Sequence, residues 1–194
     1  VIVAFSTSCP YASVAAISEN GELLWSGSQH APTSASAACM GLLERMVAEP
    51  GLQLENATLF LADIGPGSFT GVRVGVVLAK TFAYMNSCEV AGASSFDLIH
   101  PDETVVLPSK RGEFFIRKPG QLAIRSVELP ELPYVGFGPG VEPAIYPSAA
   151  AFVSLLSKIS PASAMQFVPE YLIEPSISVP KTPFKKIALG GEKV

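Results

Sequence analysis

The feature that most constrains the fold is a strand, turn and helix in the middle of the chain. Residues 58–64 form a short apolar, β-rich run. The glycine-rich turn Gly65-Pro66-Gly67-Ser68-Phe69-Thr70-Gly71 follows, and an apolar stretch then runs to about Met85. Such a run reads as a buried strand, and the stretch after it is long enough for a helix. In the turn, Gly65 and Gly67 permit positive φ around Pro66, and Ser68 or Thr70 can cap the helix. Its backbone N–H groups could hold an anion. Neither GxGxxG nor GxxxxGK[ST] is present, so a plain structural turn remains the alternative.

Upstream, residues 1–7 and 11–18 are β-rich runs separated by Cys9-Pro10. Asn20-Gly21 marks a tight turn into residues 22–27, so the three runs read as an antiparallel meander. A helix is expected over residues 35–48, with Ala35, Ala38, Cys39, Leu42, Leu43 and Met46 on one stripe. Pro50-Gly51 ends it. Three strands, a helix, a strand and a helix is the order of a ribonuclease-H-like α/β unit. Further strands are expected over residues 104–107, 113–116 and 121–127, then a short extended segment at 134–137 and a helix over 148–158. The expected organisation is an N-terminal lobe over residues 1–100 and a smaller α+β lobe with a tail over 101–194.

Composition limits the chemistry. Charged residues are only 15% of the chain and the net charge is −4, which does not suit a surface that coats nucleic acid. The one basic cluster, Lys181, Lys185 and Lys186, reads as a solvated tail. Cys9, Cys39 and Cys88 are odd in number and widely spaced, fitting neither a disulfide framework nor a zinc cluster. His30 and His100 are seventy positions apart, and no metal site is expected. Ser68 lacks the GxSxG elbow of a serine hydrolase. Asp63 is either a metal carboxylate facing a cleft or a cap at a strand end, and Lys110 with Arg111 is either a phosphate contact or a solvated hairpin tip. No run is long and apolar enough to span a bilayer, since residues 70–85 contain Arg73 and Lys80. No basic region precedes the first apolar run, so no secretory signal is expected.

The full string from Gly65 to Gly75, Gly-Pro-Gly-Ser-Phe-Thr-Gly-Val-Arg-Val-Gly, resembles the signature of the TsaB family, formerly YeaZ. Members of that family share the actin, sugar-kinase and heat-shock-ATPase fold. Weaker similarities extend along the chain in the same order: Phe5-Ser6-Thr7-Ser8 resembles the first-strand Asp-Thr-Ser, and Ser94-Ser95-Phe96 a following Ser-rich element. Residues 109–115 are similar to an Arg-rich hairpin, and Pro169-Glu170-Tyr171-Leu172 to the closing Pro-x-Tyr-Leu element. Two departures stand out. Ser6 replaces an Asp that helps hold the nucleotide's metal in active members of the fold, and Ile173 stands where an Arg is common.

The resemblance implies a non-catalytic, cytoplasmic scaffold in threonylcarbamoyl transfer to the adenosine beside the anticodon of tRNAs that read codons beginning with A. It implies pairing with a TsaD-type subunit and a TsaE-type ATPase, a homodimer when alone, tRNA contact through the complex, and no membrane association. No catalytic residue and no resident cofactor are implied, a nucleotide being admitted only at a partner interface. The competing readings are a cleft enzyme (an ATPase, phosphotransferase or peptidase homologue) and a self-associating module. The helix after the signature is apolar or small over most of its circumference. Its bulky side, Val74, Val77, Leu78, Phe82 and Met85, is expected to cover the protein's own sheet. Its shallow side, Gly71, Val72, Gly75, Val76, Ala79 and Ala83, together with Ala38 and Leu42 of the preceding helix, is expected to receive the partner, the alternative being that the helix over residues 35–48 alone fills this groove.

Overall fold

A computed structural model describes residues 1–110, 112–170 and 172. The first sheet has five strands: β1 (Ile2–Ser6), β2 (Tyr11–Ile17), β3 (Leu23–His30), β4 (Leu59–Asp63) and β5 (Glu89–Ala93). Their order across the sheet is β3-β2-β1-β4-β5. β2 is antiparallel to β1 and β3, whereas β4 is parallel to β1 and β5 parallel to β4. This is the ribonuclease-H-like arrangement, with the meander continued by parallel strands through a helical crossover. β3 runs three residues beyond the expected end at residue 27. Residues 86–94, to which the sequence reading assigns no element, contain β5, whose Val90, Ala91 and Ala93 are small or medium in size and buried.

Alternation along the central strands divides the core into two layers. Val3 and Phe5, Val14 and Ala16, and Phe60 and Ala62 point to one face, where helices α1 (Ala35–Val47) and α2 (Phe69–Met85) pack. Phe82 of α2 stacks against both Phe5 and Phe60, at centroid distances of 6.2 and 5.7 Å. Ile2, Ala4, Ala15, Ile17 and Leu61 point to the opposite face. There the expected helix over 148–158 is instead a 3₁₀ segment, Ala149–Ser154. Its Ala149 and Phe152, followed by Leu155, are all buried. A three-residue spacing stacks on one side of a 3₁₀ helix but drifts around an α-helix, so this burial pattern selects the tighter form. Ala149 N–H also donates to Ser13 Oγ at 2.9 Å, fixing the segment to β2.

Helix α3 (Ser95–Ile99) leads into the second sheet, formed by β6 (Val105–Pro108), β7 (Phe114–Arg117), β8 (Ile124–Ser126) and β9 (Val135–Gly136) in the order β8-β7-β6-β9. The two sheets share a seam. Cys9 and Phe96 pack with Val105, Leu107, Phe115 and Phe137, and Tyr11 and Tyr146 flank them. Arg117 of β7 reaches back across the seam to pair with Asp97, donates to the His100 carbonyl at 2.7 Å, and lies over the Phe96 ring. After the 3₁₀ segment the chain stays with the first sheet: Ala162 bridges Val90, Lys80 Nζ donates to the Phe167 carbonyl, and Glu170 N–H donates to the Ile64 carbonyl.

The packing of α2 corrects the expected assignment of its faces. Gly71, Val72, Gly75, Val76, Ala79 and Ala83 are buried against the protein's own sheet, and Ala38 and Leu42 of α1 are buried in the same core. These eight residues are therefore not a free face for a partner. Of the side expected to cover the sheet, Leu78 and Phe82 do pack against the core, whereas Val77 and Met85 are 57% and 69% exposed. The reason is a close approach. A Cβ on Gly71 would lie 2.0 Å from the Thr7 carbonyl oxygen, and one on Gly75 would lie 2.7 Å from Thr7 Oγ1. The small side is where the end of β1 touches the helix backbone, and a bulky side chain would hold the two apart.

Gly71→Ala should therefore lower the unfolding free energy by about 1–3 kcal/mol, the range for overpacking a filled site. Gly41, on α1, has open space where its Cβ would stand. Gly41→Ala should raise stability by about 0.5–1 kcal/mol through helix propensity alone. Urea unfolding of both variants checks the pair, and equal effects would rule out the close-approach account.

Candidate functional site

The signature turn joins the end of β4 to α2 and lies against the loop that follows β1. Asp63 ends β4 and is fully buried. One of its carboxylate oxygens accepts from Gly65 N–H at 3.0 Å and Ser95 Oγ at 2.6 Å. The other accepts from Ser6 Oγ at 2.8 Å and from Ser8 Oγ. The carboxylate thus ties together β1, the turn after β4 and the start of α3. Of its two sequence readings, the geometry selects the cap at a strand end, extended by three hydroxyls. Burial raises the Asp63 pKa above the ordinary carboxylate value, and the hydrogen bonds from Ser8, Ser95, Gly65 and Ser6 offset part of that rise.

Gly65 takes φ of +95°, in the region that favours glycine. Gly67 is needed for a different reason than the expected positive φ: a Cβ there would lie 2.3 Å from the Ser8 carbonyl oxygen. Ser68 N–H donates to that same carbonyl at 2.7 Å. Ser68 is the cap of α2, its Oγ accepting from Gly71 N–H at 3.2 Å. Thr7 Oγ1 donates to the Gly71 carbonyl at 2.7 Å and accepts from Gly75 N–H at 3.1 Å, so one hydroxyl spans a turn of the helix. The N–H groups of Gly65, Ser68, Gly71 and Val72 are all spent inside the protein. This disfavours an anion cradle built from them, and Ser68 is engaged as a cap.

Beyond the turn lies a cleft of about 600 Å³ between the two sheets. Pro66, Gly67, Ser68 and Phe69 form part of one wall, Cys9 and Pro10 lie beside them, and Pro108, Ser109, Lys110, Phe115 and Phe137 form the other. The structure thus brings Lys110, at the tip of the β6–β7 connection, to the same cleft as the signature loop. Thr70 lies instead at a groove of about 360 Å³ beside α1, with Ser36, Arg73, Val74, Val77 and Leu78. Arg111, Tyr171, Ile173 and the Lys181, Lys185, Lys186 cluster lie outside the described residues. His30 ends β3 and packs on Tyr11, and His100 follows α3 and faces Glu103 at 3.7 Å. Burial raises the Cys9 thiol to about 11 and the Cys39 thiol to about 12, which makes both poor nucleophiles at neutral pH. The sequence reading did not identify the Ser8 and Ser95 contacts to Asp63. Their only local signal was the serine content of residues 6–8 and 94–95.

A carboxyl whose folded pKa is raised gives stability that is full below the unfolded value and is lost as pH rises through the folded value. The stability of the wild type relative to Asp63→Asn should therefore fall as pH rises from 4 to 8. Thermal or urea unfolding at matched pH values measures the difference, and a constant difference would exclude a raised Asp63 pKa.

Residues 29–104 match the family model described as TsaD, tRNA N6-adenosine threonylcarbamoyltransferase. That segment runs from the end of β3 through the signature turn to the residue before β6. A search of curated proteins gives no match. Two solved structures from Pseudomonas aeruginosa share the fold. An uncharacterized protein with similarity to peptidase YEAZ superposes with a TM-score of 0.75 at 19% identity, over 89% of this chain and 99% of that one. YeaZ superposes with a TM-score of 0.72 at 20% identity, over 88% and 99%. The chain has the fold of these two structures, and residues 29–104 within it match the TsaD family model, in agreement with the resemblance to the TsaB family borne by residues 65–75.

Proposed function

We propose that this chain is a TsaB-type subunit, non-catalytic itself, that supports threonylcarbamoyl transfer to tRNA adenosine by pairing with a TsaD-type enzyme and acting with a TsaE-type ATPase. The observation that carries this reading is the TsaD-family match over residues 29–104 within a YeaZ fold. A supporting role rather than catalysis is favoured by Asp63. Its two oxygens already accept four hydrogen bonds in a fully buried setting, and the hydroxyl of Ser6 cannot supply charge to a magnesium ion. The isolated chain should accordingly hydrolyse ATP with Mg²⁺ no faster than background. A turnover assay tests this, and robust hydrolysis by the wild type would favour the cleft-enzyme reading.

With the small face of α2 committed to the core, the partner surface moves to the outer faces of the same two helices. Met40 of α1 and Phe69, Val77, Tyr84 and Met85 of α2 are exposed there. Thr70, Arg73 and Val77 line the groove between the helices. An apolar surface rimmed by few charges is a common docking site, and the same surface would serve a homodimer when the partner is absent.

Val77→Glu should leave the monomer folded and weaken binding to the TsaD-type partner at least about tenfold, or about 1.4 kcal/mol. Val76→Glu, one residue away but 2% exposed, should unfold the chain by burying an unpaired charge. Circular dichroism and size-exclusion chromatography with the partner separate the two. Wild-type pairing by Val77→Glu would place the interface elsewhere.

A further inference from the structure

The two edges of the first sheet differ in how the chain covers them. At the β5 edge, Ala162 N–H donates to the Val90 carbonyl at 2.7 Å, and Val90 N–H donates back to the Ala162 carbonyl at 3.0 Å. At the opposite edge, β3 has no strand beyond it. The phase of the β2–β3 ladder identifies the groups left open there. Ala31 N–H donates to the Pro10 carbonyl at 2.8 Å, and along an antiparallel ladder residues bonded to the neighbour alternate with residues that face away from it. Trp25, Gly27 and Gln29 therefore bond inward to β2, and Ser26, Ser28 and His30 direct their N–H and C=O groups outward. Among the described residues no other backbone group bonds to these outward groups, and all three side chains are exposed.

An edge strand ordinarily carries a charge, a proline or a bulge that prevents another strand from adding to it. From Leu23 to His30 the sequence Leu-Leu-Trp-Ser-Gly-Ser-Gln-His has no Asp, Glu, Lys, Arg or Pro. The one register shift lies between Ala16 and Ile17 and makes Leu24 the extra residue, so residues 26–30 stay regular. We propose that β3 pairs antiparallel with β3 of a second copy of this chain, about a two-fold axis at Ser28. In that register Ser28 faces its own copy, Ser26 faces His30 on either side of the axis, and every outward residue exchanges both backbone bonds. Gln29 falls opposite Gly27 at the closer, non-bonded spacing, where glycine leaves room. The pairing stops where Pro32 would face Leu24, because proline has no N–H. A second copy suits this edge better than a foreign peptide. An added peptide takes its specificity from side-chain pockets beside the edge, and the cleft, the groove beside α1 and the pocket beside α3 have no β3 residue in their linings. Under a two-fold, symmetry itself sets the register, and an uncharged strand meets its copy without like charges opposite each other.

The proposal does not rest on the TsaB-type reading, and the helix surface assigned there is removed from the test by carrying Val77→Glu in every full-length chain. Analytical ultracentrifugation of that chain should show a monomer–dimer equilibrium. Adding Ser28→Lys or Ser28→Glu, at an exposed position, should leave the circular dichroism spectrum unchanged. Either change should raise the dimer dissociation constant at least about tenfold, because like charges then face each other across the axis. An equimolar mixture of the two variants should recover the dimer, since the facing charges are then opposite. Amide hydrogen exchange should slow at Ser26, Ser28 and His30 as concentration rises, with Gly27 and Gln29 unchanged. A monomer at every concentration, a dimer indifferent to charge at position 28, or a mixture that fails to recover pairing would overturn the proposal. So would a Ser28 amide protected in the monomer, which would place another part of the same chain on this edge.

Discussion

The fold depends most on one buried carboxylate. Asp63 accepts from Ser6 at the end of β1 and Ser8 just after it, from Gly65 in the turn after β4, and from Ser95 at the start of α3. Removing a carboxylate from water is costly, and only a full set of donors makes it tolerable. The donors come from three segments that are distant in sequence, so satisfying the carboxylate also fixes where those segments meet. The seam to the second sheet begins next to this point: Phe96 and Asp97 follow Ser95 directly, and Arg117 closes on both. One local electrostatic requirement therefore positions the signature turn, the crossover helix and the entry to the second sheet.

The approach of α2 to the sheet is a second consequence of the same junction. With Ser6 and Ser8 drawn toward Asp63, Thr7 between them faces the helix, and its hydroxyl bridges the Gly71 carbonyl and the Gly75 N–H. Such a contact requires backbone-to-backbone proximity, which only glycine permits at positions 67, 71 and 75. An interior glycine costs roughly 1 kcal/mol of helix propensity relative to alanine. Here the lost propensity is offset by packing and by hydrogen bonds that a larger residue would prevent. The outer side of the helix is left with Val77, Tyr84 and Met85 in solvent, an arrangement that monomer stability alone does not explain.

Much of this architecture is legible in the sequence, and the limits are physical. Period-2 and period-3.6 patterns place β1, β2, β4, α1 and α2 to within about a residue or two, since burial on one or both faces writes those periods directly. β5 escapes because Val90, Ala91, Gly92 and Ala93 carry too little side chain to show a period. The 3₁₀ segment at Ala149–Ser154 escapes because a run of alanines suits several helical forms, and only the sheet beneath it selects one. Which face of α2 meets the sheet is not legible in the sequence for a more general reason. Side-chain size says which face can pack closely, but not whether the close neighbour is the chain's own strand or another molecule. That choice was made by Thr7 and Ser8, more than sixty residues away.

The same reasoning changes what the signature string means chemically. A glycine-rich turn before a helix suggests N–H groups aimed at a phosphate. In this chain four of those groups are directed inward, to Asp63, to the Ser8 carbonyl and to Ser68 as side chain and carbonyl. Conformational freedom at Gly65 and absent side chains at Gly67, Gly71 and Gly75 serve packing between α2 and β1. The cleft beyond the turn is lined by Pro10, Pro66, Phe115 and Phe137 together with Lys110 and Glu170. The junction of the two sheets is built around a satisfied internal carboxylate, with the cleft beside it.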